Sequence, residues 1–179
     1  MADIAIADNF LPEELYIECY NYATTLFTSG DMVFTTNRIW MDTIVQDSNP
    51  ILVHHIDNTH SLCKRLTTCI ADRLELSNIN FHGILFYFYT PGSHIPWHND
   101  NDYTGGITIY LNKEWNIDWG GGLIYKSLDS NMINGGVYPK QNRAIHIQNN
   151  IEHSVFPTVK CCPVRMSIQC FYNNADIIT

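Results

Sequence analysis

Apolar and polar positions along this chain follow a mainly helical period up to about residue 76, broken by one strand-like stretch, and a strand-like period after it. Phe10-Leu11-Pro12-Glu13-Glu14 opens a helix, with Pro and two acids in its first turn, and Leu15, Cys19, Tyr22, Ala23 and Leu26 follow at helical spacing until Thr28-Ser29-Gly30-Asp31 ends it. From Met32 to Val45 the chain is rich in Val, Ile, Thr and Phe and predicts a strand carrying Arg38 and Trp40. From Asn49-Pro50 onward, Leu52, Ile56, Leu62 or Cys63, Leu66, Ile70 and Leu74 form one stripe. That stripe predicts a long second helix, with His54, His55 and His60 on it.

After Leu76 the pattern becomes strand-like and stays so. Strands are predicted over 81–89, 105–111, 121–126, 143–148 and 163–172, separated by Gly, Asn, Asp and Pro. Two helices followed by many short strands give a mainly β (α+β) fold in which helices brace one face of a sandwich or barrel. At 179 residues and 45% hydrophobic content the chain is expected to form one domain, 1–179, with 1–76 as helical support and first strands and 77–179 as the β core. Trp119-Gly120-Gly121-Gly122 predicts a tight turn or bulge and no phosphate-binding helix start.

Charge narrows the partners. The formal net charge is -8 and no Lys/Arg-rich run occurs, which is the wrong footprint for a phosphate backbone, so no nucleic acid is expected and a neutral or basic peptide fits better. No basic n-region or long apolar run is present in the sequence, so the expectation is a soluble, cytoplasmic protein that neither enters nor spans a membrane. The six cysteines, at 19, 63, 69, 161, 162 and 170, include no C-x-x-C pair and are expected to be reduced thiols.

The candidate chemistry begins at Tyr89 to Asp100, Y-T-P-G-S-H-I-P-W-H-N-D, which delivers His98 and Asp100 one residue apart where a strand gives out. An imidazole and a carboxylate from such a turn can take adjacent corners of one metal, and a second His completes the 2-His-1-carboxylate set of non-haem Fe(II) oxygenases. His55-Ile56-Asp57 repeats the H-x-D spacing but falls in the predicted second helix, where residues two apart do not face each other. Further on, E-H-S-V-F-P at 152–157 offers His153, and P-V-R-M-S-I-Q-C-F at 163–171 offers Arg165 on an apolar strand. The order H-x-D, then His, then Arg is the specific signal.

Four blocks carry a resemblance across most of the chain: Y-T-P-G ending in H-N-D at 98–100, I-Y-L-N-K-E-W at 109–115 followed by Gly121-Gly122, P-K-Q-N-R-A-I at 139–145, and H-S-V-F-P with R-M-S-I at 153–168. In them the chain resembles the 2-oxoglutarate- and Fe(II)-dependent oxygenases, most of all the prolyl 4-hydroxylases of the hypoxia-inducible-factor type and their bacterial relatives. The resemblance implies a double-stranded β-helix, or jelly roll, with Fe(II), 2-oxoglutarate and O2 as metal and cosubstrates and ascorbate as an accessory reductant. It implies His98, Asp100 and His153 as iron ligands and Arg165 as the partner of the distal 2-oxoglutarate carboxylate, a task that suits the planar, permanently charged guanidinium fork. Tyr110 corresponds to a tyrosine that bonds the same carboxylate, Tyr89 to one lining the cosubstrate pocket, and Phe171 to an aromatic beside the substrate prolyl ring. Arg38 and Trp40 are candidates either for a loop over the substrate or for a simple cap on the sheet, whereas His82 and His94 read as structural or rim residues.

Two departures accompany the likeness. Arg165 lies twelve residues beyond His153, across V-K-C-C-P, and one residue of slippage there would turn it away from the pocket. Tyr103 occupies the region where the hypoxia-factor enzymes carry a substrate-touching Arg. The expected activity is hydroxylation of a prolyl residue in a protein or peptide, with release of succinate and CO2. Two alternatives stay open: the same chemistry on a free amino acid, small metabolite or alkylated base, and a jelly-roll binding module without turnover. The nucleic-acid version is disfavoured because repair demethylases of the superfamily carry a second Arg six residues after the first, where this chain has Phe171.

Overall fold

The computed structural model describes residues 4–29, 35–36, 49–126, 132–148 and 151–175. In chain order the elements are β1 (Ile4–Ala7), α1 (Glu13–Ser29), β2 (Thr35–Thr36), β3 (Ile51–Ile56), α2 (Ser61–Arg73), β4 (Ile79–Tyr89), β5 (Ile95–His98), β6 (Gly105–Tyr110), β7 (Leu123–Lys126), β8 (Ile133–Val137), β9 (Ala144–Gln148), β10 (His153–Val155) and β11 (Arg165–Asn174). They form two antiparallel sheets, a seven-stranded one in the order β1-β9-β6-β11-β4-β3-β2 and a four-stranded one in the order β5-β10-β7-β8. This is the jelly roll with bracing helices that the sequence predicts.

Strand alternation sorts the large sheet's side chains into two jobs. From β4, Ile84, Phe86 and Phe88 join Ile107, Ile109, Ile168 and Cys170 against α1 and α2, where Cys19, Ala23, Leu26, Leu62, Leu66 and Ile70 are fully buried or nearly so. Their neighbours Tyr87 and Tyr89 point the other way and pack with Ile51, Val53, Ile95 and Val155 between the sheets. Central strands buried on both faces explain the nearly unbroken apolar run I-L-F-Y-F-Y at 84–89.

The second helix is shorter than its apolar stripe predicts. Residues 51–56 form β3, paired with β4 from Ile51↔Tyr89 to Ile56↔Ile84, and α2 starts only at Ser61. Ile51, Val53 and Ile56 are buried as strand residues, so sheet pairing outweighs a spacing that a helix would also satisfy. His54 and His55 lie on β3, and His60 is the N-cap of α2, accepting from the Leu62 amide at 3.2 Å. The reason given for dismissing His55-Ile56-Asp57 is therefore corrected: Asp57 leaves the strand and spends its carboxylate on the Thr59 amide and hydroxyl, at 2.7 and 2.5 Å. Most of the strand predicted over 32–45, including Arg38 and Trp40, lies outside the described residues.

The remaining strands match their predicted positions within a few residues, whereas β1, β5, β8 and β10 were not predicted. All six cysteines are free thiols. No described helix is long and apolar enough to cross a membrane.

Candidate active site

The site lies between the sheets and begins with a turn. Thr90-Pro91-Gly92-Ser93 reverses the chain after β4, with Gly92 at φ +87 and the Ser93 amide donating to the Thr90 carbonyl at 2.9 Å. The next strand, β5, ends at His98, which pairs in register with His153 at the start of β10. Asp100 follows in a second tight turn, whose carbonyl accepts from the Tyr103 amide at 2.9 Å.

One local device orients both imidazoles. His98 Nδ1 lies 2.8 Å from the Pro96 carbonyl and His153 Nδ1 lies 2.9 Å from the Ile151 carbonyl. A carbonyl only accepts, so each Nδ1 carries the proton and each Nε2 keeps its lone pair, the arrangement that prepares a histidine for a metal. Those Nε2 atoms approach the Asp100 oxygens at 3.9 Å from His98 and 3.6 Å from His153. One ligand atom from each residue falls within 4.8 Å of the others, the only such cluster among the described residues. Burial, reinforced by the neighbouring His153, pushes the His98 imidazole down to about 4, and burial pushes the Asp100 carboxyl up. A His98 imidazole that burial keeps neutral and an Asp100 carboxyl that resists ionising alone suit a divalent cation, which restores the charged form of the acid. The two nitrogens and one carboxylate match ferrous iron better than a soft thiophilic metal.

Arg165 supplies a second, independent sign of a ligand. It is fully buried, and none of its Nε, Nη1 and Nη2 atoms has a hydrogen-bond partner. Its guanidinium carbon stands 4.1 Å from the Tyr89 ring centre and 4.9 Å from that of Tyr110. Leaving a buried charge unpaired is costly, so a guanidinium held this way is built for an anionic guest. The Tyr110 hydroxyl and the Ser167 hydroxyl are buried without partners too. Tyr110 and Ser167 face each other across β6 and β11, two residues along β11 from Arg165, and the three groups are a donor set for a carboxylate.

The register of Arg165 is fixed by Asn112. Its Nδ2 donates to the Val164 carbonyl at 2.9 Å and its Oδ1 accepts from the Met166 amide at 2.7 Å, so the side chain grips the backbone on both sides of Arg165. The long V-K-C-C-P turn therefore does not turn Arg165 outward. Gly120 and Gly121, at φ +74 and +69, fold the chain tightly beside the Arg165 stem.

The cavity is lined by His98, Asp100, His153, Arg165, Tyr89 and Phe171 among others, so the structure brings together most of the residues singled out in the sequence. Phe171 stacks on Tyr103, with ring centres 4.6 Å apart and planes 19° apart, and His82 meets the other ring edge-on at 5.1 Å. Sequence reasoning missed Ser167, Asn112 and the Thr108-Gln169 pair on the cavity wall. Ser167 and Gln169 were detectable as the polar residues two and four places after Arg165 on an otherwise apolar strand, but Asn112 acts only through a contact 52 residues away.

A family model described as the 2OG-Fe(II) oxygenase superfamily matches residues 84–173. No curated protein matches the chain significantly. Among solved structures the chain is similar to a prolyl hydroxylase from Trichoplax adhaerens in complex with a hypoxia inducible factor oxygen degradation domain peptide fragment, at 21% identity and a TM-score of 0.79, covering 99% of this chain and 87% of that one. It is also similar to a Pseudomonas putida prolyl-4-hydroxylase, at 19% identity and a TM-score of 0.74, covering 96% and 92%. The same fold recurs in a non-heme alpha ketoglutarate dependent epimerase from nogalamycin biosynthesis, at 12% identity and a TM-score of 0.72, covering 97% and 79%. With the family model spanning half of the chain, over the strands that carry the metal cluster and Arg165, the chain belongs to the 2OG-Fe(II) oxygenase superfamily.

Proposed function

We propose that this chain, acting as one domain, is a 2-oxoglutarate-dependent dioxygenase that hydroxylates a prolyl residue in a peptide or protein. The observation that carries the reading is the buried, unpartnered Arg165 beside the His98-Asp100-His153 cluster. A module that only bound a metal would have no use for it. In this reading His98, Asp100 and His153 hold Fe(II), and Arg165, with Tyr110 and Ser167, receives the distal carboxylate of 2-oxoglutarate. Bound there, the metal and keto acid would activate O2, the oxidant, with the keto acid supplying two electrons as it loses CO2, so that one oxygen atom ends in succinate and the other in a new hydroxyl group on the substrate carbon.

The chain's own contribution is placement and dryness. The carbonyls of Pro96 and Ile151 hold the two Nδ1–H groups and so aim both Nε2 atoms at the metal position. Tyr89 and Tyr110 wall the guanidinium from water, which strengthens its pairing with a carboxylate. Phe171, backed by Tyr103, offers a flat apolar face on the same cavity and suits a pyrrolidine ring. The two prolyl hydroxylases of the same fold favour a prolyl substrate over a free metabolite.

The test has two parts. Under nitrogen, Fe(II) followed by 2-oxoglutarate should give the visible charge-transfer band of a chelated keto acid in the unaltered protein and not in Asp100→Ala. Proline-containing peptides incubated aerobically with Fe(II), 2-oxoglutarate and ascorbate should then gain one oxygen at proline by mass spectrometry. A band without any oxygenated peptide would reject the prolyl assignment and leave the oxygenase, whereas a folded protein that gives no band would reject both.

A further inference from the structure

Once the metal cluster and Arg165 are set aside, one polar pair stands out on the cavity wall. Thr108 on β6 and Gln169 on β11 are opposite each other in register, and both line the cavity. The buried Thr108 hydroxyl donates to Gln169 Oε1 at 2.8 Å. That bond fixes which end of the carboxamide is used up: Oε1 is occupied, and Nε2 keeps two N–H donors with no protein acceptor among the described residues. Holding a long polar side chain in one rotamer inside a cavity costs side-chain entropy, which a core-filling role does not require.

Position gives the pair its meaning. Gln169 shares one face of β11 with Arg165, Ser167 and Phe171, roughly 13 Å along the strand from Arg165 and roughly 7 Å from Phe171 at the usual rise per residue. The anion site is thus at one end, the aromatic face at the other, and a neutral donor stands between them. Its neighbours on the wall, Ile95, Leu123, Ile147 and Val155, offer no hydrogen bond from their side chains.

We propose that Gln169 is a specificity-determining residue: its Nε2–H donates to a neutral carbonyl oxygen of the substrate, the peptide carbonyl adjoining the ring that packs on Phe171. Thr108 is the positioning residue that sets the carboxamide's orientation. The inference rests on the prolyl hydroxylase reading and deepens it. A donor selects an acceptor, and among the described residues Arg165 is the only Lys or Arg lining the cavity, so a second carboxylate brought by a free amino acid would meet no further compensating charge from them. The class selected is therefore peptidyl proline, with its carboxyl group in amide linkage, over free proline.

The experiment uses N-acetylated, C-amidated proline peptides, randomised around the proline, from which one that the unaltered protein hydroxylates is chosen. Its affinity is measured by calorimetry under nitrogen with Fe(II) and 2-oxoglutarate present, alongside free L-proline. Removing the donor in Gln169→Leu leaves a carbonyl unpaired and should weaken the peptide about tenfold, and Gln169→Glu, which sets acceptor against acceptor, should weaken it further. Thr108→Val should cost about threefold and Thr108→Ser should restore affinity, while the charge-transfer band with 2-oxoglutarate stays unchanged in all four variants. Unchanged peptide affinity in both Gln169 variants overturns the inference, as does a loss of 2-oxoglutarate affinity in them, or equal binding of free proline and blocked peptide by the unaltered protein. If the unaltered protein forms the band yet hydroxylates no peptide, the prolyl reading itself falls, and this inference falls with it.

Discussion

Substituting Gly121 by Ala is the most informative single change because it strikes the Arg165 stem from outside the site. A Cβ at residue 121 would stand 2.9 Å from Thr158 Cγ2, 3.1 Å from Arg165 Cδ and 3.3 Å from Trp115 Cζ2, and the residue sits at φ +69. The left-handed backbone costs an Ala about 1 kcal/mol, partly offset by the smaller entropy of its unfolded chain. Overfilling a packed site adds about 1–3 kcal/mol. The sum, about 2–4 kcal/mol, lowers the melting temperature of a chain this size by roughly 5–15 °C and leaves it folded at 25 °C.

Function should suffer beyond stability. Thr158 is pinned, since it bridges Gly120 and its hydroxyl accepts from the Gly92 amide at 2.9 Å, so the neighbour that yields is the Arg165 stem. A shift of a few tenths of an ångström at Cδ spoils a bidentate carboxylate contact, and the KM for 2-oxoglutarate should rise about 3–10-fold with little change in KM for peptide. Gly122→Ala is the control, because φ there is not positive and its nearest contact, at 3.3 Å, is the half-exposed Tyr138 ring, which can move. Circular-dichroism melts and steady-state kinetics on both variants decide the matter. If Gly121→Ala melts within 2 °C of the unaltered protein and keeps its 2-oxoglutarate KM, the crowding argument is wrong (that threshold being about 1 kcal/mol for this size).

Arg165→Lys keeps the charge but loses the fork, and should raise the 2-oxoglutarate KM by about 10–100-fold with the charge-transfer band recoverable at high keto acid, as absorbance titration would show. Ser167→Ala removes a buried hydroxyl that has no partner, so it should leave thermal stability unchanged or improve it by up to about 1 kcal/mol while weakening 2-oxoglutarate binding several-fold; a clear loss of stability would show that the hydroxyl serves the fold instead. Asn112→Ala deletes both backbone bonds that flank Arg165 and should cost about 2–4 kcal/mol in urea denaturation, together with a raised 2-oxoglutarate KM. Arg143 and Lys140 hold the Asp8 carboxyl well below the usual carboxylate range. A depressed folded-state value means stability that is complete above the unfolded pKa, about 4, and fades as pH falls below it. Because the ion pairs are largely exposed, Asp8→Asn should cost only about 0.5–1 kcal/mol at pH 7, less at high salt, and less again at pH 2; an equal cost at both pH values would refute the linkage.

What could be read from the sequence was what depends on period and local chemistry. Helix α1 was legible because Pro12, Glu13 and Glu14 mark its start and its apolar stripe faces one way. The stretch 51–56 misled because Leu52 and Ile56 are four apart, as a helix requires, while Ile51, Val53 and the pairing with β4 that makes it a strand are tertiary facts. Strands β5 and β10 are short, at 4 and 3 residues, and carry His98 and His153, whose polarity breaks the apolar pattern by which strands are recognised. The candidate ligands were picked out by their spacing and order, while the strands that carry His98 and His153 were not.

The strand β11 shows why the site was nonetheless readable in part. Its alternating residues spell two sequences: Met166, Ile168 and Cys170 face the helices, whereas Arg165, Gln169 and Phe171 line the cavity, with the buried Ser167 on the same face of the strand. The first set is apolar because it must bury surface against α1 and α2. The second begins with a charge, passes through two neutral polar groups and ends in a ring, a sequence that packing alone does not ask for. Each polar member pays for its burial only if a guest or a neighbour answers it, and the answers differ along the strand: Thr108 for Gln169, two aromatic rings but no hydrogen-bond partner for Arg165, and no hydrogen-bond partner for Ser167. The unanswered end is where the structure leaves room for an anion. The answered pair further on leaves a donor facing the cavity, and the ring beyond it leaves a flat apolar face. Read in order, those three positions describe a carboxylate, an amide and a ring, which is the combination that 2-oxoglutarate and a peptidyl proline present together.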